Sequence, residues 1–143
     1  MTTTTTSTKA QISRLKSLPS DKPIIVLNLF AFNDKAQYKP EDPEYGTPKA
    51  NVTGREALQS YFEAGSKITR KLGVKTIISA EVDQVMVGRE NVQWDMTVTL
   101  FFPSRQAFIN MISNPEFQKA SRHRKAALSN HYNIHINGEN FEM

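Results

Sequence analysis

The stretch Ile24-Ile25-Val26-Leu27-Asn28-Leu29-Phe30-Ala31-Phe32 decides the reading of the fold. Side chains of a strand alternate between two faces. Ile24, Val26, Asn28, Phe30 and Phe32 therefore share one side, and Ile25, Leu27, Leu29 and Ala31 the other. Apart from Asn28, both sides are apolar. A strand that is apolar on both faces is covered on both, so this one is predicted to be central.

The flanking segments follow in order. Residues 34–53 hold Pro40, Pro43, Gly46 and Pro48 and read as a long loop that carries Tyr38 and Tyr45. Thr53 and Glu56 form a capping box for a helix predicted over Gly54–Leu72, with Gly73 as its stop. Ala57, Tyr61, Gly65, Ile68 and Leu72 fall on one stripe of it. Val74–Val87 reads as a strand, Gly88–Asn91 as a turn and Gln93–Phe102 as a strand, with Trp94, Met96, Val98 and Leu100 on its helix side. After Pro103, Ser104 caps one helix, and Asn114-Pro115 starts a second that runs to about Ser129. A short strand over Asn130–Ile136 ends the pattern.

The order β-α-β-β-α-β, with the second helix in two pieces, is that of an α+β ferredoxin-like domain with one antiparallel sheet. Ser79, Glu81, Asp83, Asp95, Thr97 and Thr99 fall on the face without helices. Ile77 and Phe101 fall there too, so a second subunit's sheet is expected to cover that face and leave a pocket between.

Several runs carry a resemblance. They are Ile25-Val26-Leu27-Asn28-Leu29, Gly54-Arg55-Glu56-Ala57 with Tyr61, Trp94-Asp95, Phe102-Pro103-Ser104-Arg105-Gln106-Ala107-Phe108, Asn114-Pro115-Glu116-Phe117 and His123-Arg124-Lys125-Ala126-Ala127-Leu128. In order and spacing, over about residues 23–136, the chain resembles the longer members of the domain-of-unknown-function family numbered thirteen-thirty. That resemblance implies a dimeric α+β barrel, a homodimer whose sheets enclose a small cavity. It assigns no catalytic residue.

Composition limits the chemistry. The chain has 143 residues, 38% of them apolar and none of them cysteine. Disulfides, thiolate metal sites and cysteine nucleophiles are excluded. The Pro23–Phe32 apolar run is far below the roughly 20 residues that a membrane span needs. The net charge of +4 invites an acidic partner. However, Lys9, Arg14 and Lys16 lie in residues 1–20 without an acid, so the body is nearly neutral. Residues 1–20 read as a disordered or loosely docked tail, within which Ile12, Leu15 and Leu18 have helical spacing. Residues 21–137 read as the single domain and 138–143 as a C-terminal tail. The basic run Lys119–Lys125 lacks interleaved aromatics and reads as a solvated helix face, so no nucleic acid is expected, and no membrane. A cytoplasmic location is the expectation.

Six residues are candidates for a site. Arg124 projects from the apolar face set by Phe117, Ala120, Ala127 and Leu128. It reads either as a clamp for a carboxylate or enolate, or as an internal ion pair with Asp95 or Glu81, or as a side chain that snorkels outward. His123 flanks that face and is the best acid or base in the chain. Asp95 is either a second base or a counter-ion to an arginine. Asn28 is a donor to a developing oxyanion or a satisfied polar group. Arg55, in the first turn of its helix, holds an anion or pairs with an acid. Tyr61 is a substrate contact or a core aromatic. His131 and His135 are about 13 Å apart on a strand and cannot share a metal, so neither a metal nor a cofactor is expected. The function expected is a cofactor-independent enzyme, an isomerase, cyclase or monooxygenase, acting on a small anionic or enolisable ligand. The alternative is a non-catalytic binding protein with the same cavity.

Overall fold

The structure, a computed structural model, describes residues 5–142. The start of the threonine tract read as disordered, residues 1–4, and residue 143 lie outside the described residues. The elements are α1 (Lys9–Ser17), β1 (Ile24–Phe32), α2 (Gly54–Lys71), β2 (Lys75–Glu81), β3 (Met96–Phe102), α3 (Arg105–Ser113), α4 (Pro115–Ala127) and β4 (Leu128–Asn137). The strands form one sheet in the order β2-β3-β1-β4, antiparallel throughout. This is the ferredoxin-like α+β arrangement, and β1 is central.

Local chemistry sets the helix starts. Thr53 Oγ1 accepts from the Glu56 amide at 3.0 Å, and Glu56 Oε1 from the Thr53 amide at 3.1 Å. Asn114 Oδ1 accepts from the amides of Glu116 and Phe117, and Pro115 stands at the first position of α4. Gly54 is required by close approach. A Cβ there would lie 2.2 Å from the Asn33 carbonyl oxygen and 2.6 Å from that of Ala127. The start of α2 therefore seats directly on the ends of β1 and α4.

The core lies between the sheet and the helices. One cluster joins Ile24, Val26 and Phe102 to Phe108, Met111 and Phe117. A second joins Phe30 and Val98 to Ala57, Leu58 and Ala127. Leu15, from the segment read as a disordered or loosely docked tail, is 8% exposed and belongs to the first cluster. α1 has its own capping box, made by Thr8 and Gln11.

Several readings need correction. The strand predicted over Val74–Val87 ends at Glu81, and the one predicted from Gln93 begins at Met96. Without strand geometry at residue 94, the alternation fails there: Trp94 packs on Tyr132, 5.0 Å between ring centroids, on the face away from the helices. A register shift between Thr76 and Ile78 turns Ser79 and Glu81 to the helix side, opposite Val98 and Met96. The last strand is longer than predicted. It starts directly after α4, so that helix stops at Ala127.

Candidate functional site

A cavity of about 1000 Å³ lies inside the single chain, between the sheet and the helix layer. The expectation was a pocket between two subunits' sheets. The difference comes from β1, whose Val26, Asn28 and Phe30 face the helices and line this space. Phe62, Leu100, Phe108 and Met111 supply apolar wall, and Thr5, Gln11 and Leu15 close one side. Asn133, Gln59 and Arg14 line it and are exposed, so the cavity is open to solvent.

One wall is polar. In register, Asn28 faces Asn133, Phe30 faces His131 and Val26 faces His135, so the three β4 side chains share the helix side. Arg124 reaches this strip from α4. Its Nη1 lies 3.2 Å from His131 Nδ1 and donates to the Thr5 carbonyl at 2.6 Å. A guanidinium only donates, so His131 Nδ1 must be the bare, accepting nitrogen. Its Nε2–H then donates to Asn28 Oδ1 at 2.9 Å. That oxygen also accepts from Asn133 Nδ2 at 2.8 Å, and Asn28 Nδ2 donates to the Val98 carbonyl at 3.1 Å. His135 Nε2 donates to Asn133 Oδ1 at 2.9 Å. The arginine thus fixes a tautomer, and the tautomer fixes an amide.

The electrostatics agree. Burial, with the Arg124 charge beside it, holds His131 down at about 3, so it is neutral at pH 7. Burial also lowers the pKa of Arg124, yet a guanidinium stays charged at that pH. Burial raises the Tyr61 hydroxyl pKa, and the Arg124 charge opposes that shift. Among the described residues Arg124 forms no ion pair. Glu81 pairs with Arg55 instead, and Asp95 Oδ2 accepts from the Phe32 amide at 2.8 Å.

Three of the six candidates therefore share the cavity: Asn28, Tyr61 and Arg124. The other three lie elsewhere. His123 Nδ1 is 2.6 Å from the Tyr38 hydroxyl, under the long loop, next to the Arg122–Glu44 pair at 2.8 Å. Burial and then Arg122 lower its pKa. Asp95 lines a separate recess with Gln93 and Asn130. Arg55 sits over the Phe32 ring at 4.8 Å while bonding Glu81. His131, Asn133 and His135 were not among the candidates. Their alternation with Tyr132, Ile134 and Ile136 is visible in the sequence, but their pairing with Asn28, Phe30 and Val26 is not. Among the described residues no group of three or more potential ligands could hold a metal ion, and no helix is long and apolar enough to cross a membrane.

A family model described as a domain of unknown function, DUF1330, matches residues 43–136. The chain belongs to this family. Among solved structures, the DUF1330 chain is similar to the methylated RPA0582 protein, at 26% identity and a TM-score of 0.84, covering 96% of each chain. A second structure of RPA0582, a protein of unknown function from Rhodopseudomonas palustris, aligns at 26% identity and a TM-score of 0.83 over 95% of this chain and 97% of that one. No curated protein matches the sequence.

Proposed function

We propose that this DUF1330 protein binds a small organic anion with an apolar body in the helix-side cavity, with Arg124 taking the charged group. One observation carries the reading. A half-buried guanidinium faces an accessible, mostly apolar cavity and has no ion-pair partner among the described residues. Burying a cation without a counter-charge costs several kcal/mol, on the order of what an anionic ligand returns. The volume suits a small organic molecule.

Binding is favoured over the isomerase, cyclase or monooxygenase reading. A general base works best with a pKa near the operating pH. His131, at about 3, is far too weak a base at neutral pH, and the Tyr61 hydroxyl is shifted the other way. His123 and Asp95, the two residues first assigned to proton transfer, do not line this cavity.

The open face of the sheet supports a homodimer. Ile78, Tyr132, Ile134 and Ile136 are 51, 53, 45 and 40% exposed there. Large contiguous apolar patches mark interaction surfaces.

Thermal denaturation with octanoate and with the neutral, nearly isosteric octanamide tests the binding reading. Octanoate should raise the melting temperature at millimolar concentration and octanamide much less. Equal shifts, or none, would refute an anion site.

A further inference from the structure

The residue that occupies Arg124 in the structure is part of the chain itself. Its Nη1 donates to the backbone carbonyl of Thr5 at 2.6 Å. Thr5, Thr6 and Ser7, with Ala10, Gln11 and Leu15 of α1, form the cavity wall on that side. We propose that this N-terminal segment is an internal competitor. The Thr5 carbonyl stands in for one oxygen of the ligand, and binding of an anion displaces residues 5–17 from the cavity. The proposal rests on the binding reading above.

The attachment of the segment is uneven. At its C-terminal end it is fastened to the start of α3. The amides of Arg105 and Gln106 donate to the carbonyls of Lys22 and Ser20 at 2.8 Å each, and Arg105 Nη1 donates to the Pro19 carbonyl. Towards the N-terminus, Leu15 is the buried side chain of α1, and the Thr5–Arg124 bond holds the far end. Pro19 follows the C-cap Leu18, whose backbone is extended, so the helix ends there and the anchored residues 19–22 are a separate, non-helical stretch. Loss of the Thr5 and Leu15 contacts therefore frees α1 without breaking the bonds to α3.

The chemistry favours exchange in one direction. The Thr5 carbonyl is a neutral, single acceptor, whereas a carboxylate brings an opposite charge and two oxygens that can take two guanidinium N–H groups at once. The segment also carries Lys9, Arg14 and Lys16, all exposed, and no acid. It repels Arg124 and attracts an incoming anion. A neutral ligand gains neither effect and leaves the Thr5 carbonyl in place.

The chain has no cysteine, so Ser13→Cys places a single dye on the exposed side of α1 in the full-length protein. The probe is octanoate. Binding should change the dye signal and speed amide hydrogen exchange across residues 5–17, with the Arg105 and Gln106 amides that hold the anchor unaffected. Thr8→Ala removes the α1 N-cap without touching the cavity wall. It should raise the octanoate association rate about three- to ten-fold, the size of one lost cap. If octanoate binds but exchange in residues 5–17 is unchanged, and Thr8→Ala binds at the wild-type rate, the competitor idea fails and the cavity reading stands. If octanoate does not bind at all, both fail.

Discussion

The guanidinium of Arg124 and the imidazole of His131 face each other at 3.2 Å, and the contact forces His131 to be neutral. A protonated ring would set N–H against N–H and charge against charge. This pair anchors a row of hydrogen bonds through Asn28 and Asn133 to His135.

Acid should therefore destabilise the fold through His131. Its folded pKa is about 3, against 6.5 ordinarily. The unfolded chain takes up a proton below pH 6.5 and the folded one does not. This contribution to stability is complete above about pH 6.5 and is lost as pH falls towards 3. By pH 5 the loss from this one group approaches about 2 kcal/mol. The pKa values of His123 and His135 are also lowered by burial and act in the same direction. Urea unfolding at pH 7 and pH 5 measures the sum. His131→Asn should show a clearly smaller drop than wild type, and an equal drop would contradict the assignment.

Asn28 should be the most sensitive polar residue of the sheet. It is 6% exposed, accepts from both His131 and Asn133, and donates to the Val98 carbonyl. Asn28→Ala leaves the His131 ring N–H and the Val98 carbonyl without these partners, at about 1–3 kcal/mol each. A loss of about 2–4 kcal/mol in denaturant unfolding is expected. Asn28→Asp should also be destabilising, because its carboxylate cannot donate to the Val98 carbonyl and sets an acceptor oxygen against it.

Much of this was legible in the sequence. The β1 run, the T-x-x-E box at Thr53 and the Asn114-Pro115 start each fall where local chemistry alone places them. The errors have physical causes. The shift between Thr76 and Ile78 exchanges the faces of β2, and periodicity cannot show a bulge. Trp94 was assigned by alternation across residues that are not in a strand. Arg124 was legible because a cation interrupted an apolar helix stripe. His131 was not, because its meaning depends on lying beside Phe30 and Asn28, a pairing between distant segments. His123, one residue from Arg124, points towards Tyr38 instead. A helix turns about 100° per residue, so neighbours in sequence are not neighbours in a site.

The dimer and the ligand site should be separable. Ile136 lies on the open face and does not line the cavity. Light scattering at micromolar concentration should give a dimer for wild type and a monomer for Ile136→Asp, and the monomer should still bind octanoate. A monomeric wild type would remove the dimer. Loss of binding on dissociation would place the site between subunits instead.

The central claim is that Arg124 holds an anion. Arg124 has no counter-charge among the described residues, so Arg124→Met strands no partner charge and should stay folded, within about 1 kcal/mol of wild type. Calorimetric titration of octanoate into both proteins is the most direct test. The prediction is a saturable heat for wild type and at least a ten-fold weaker affinity for folded Arg124→Met, about 1.4 kcal/mol or more. Equal affinity in the two proteins would contradict it.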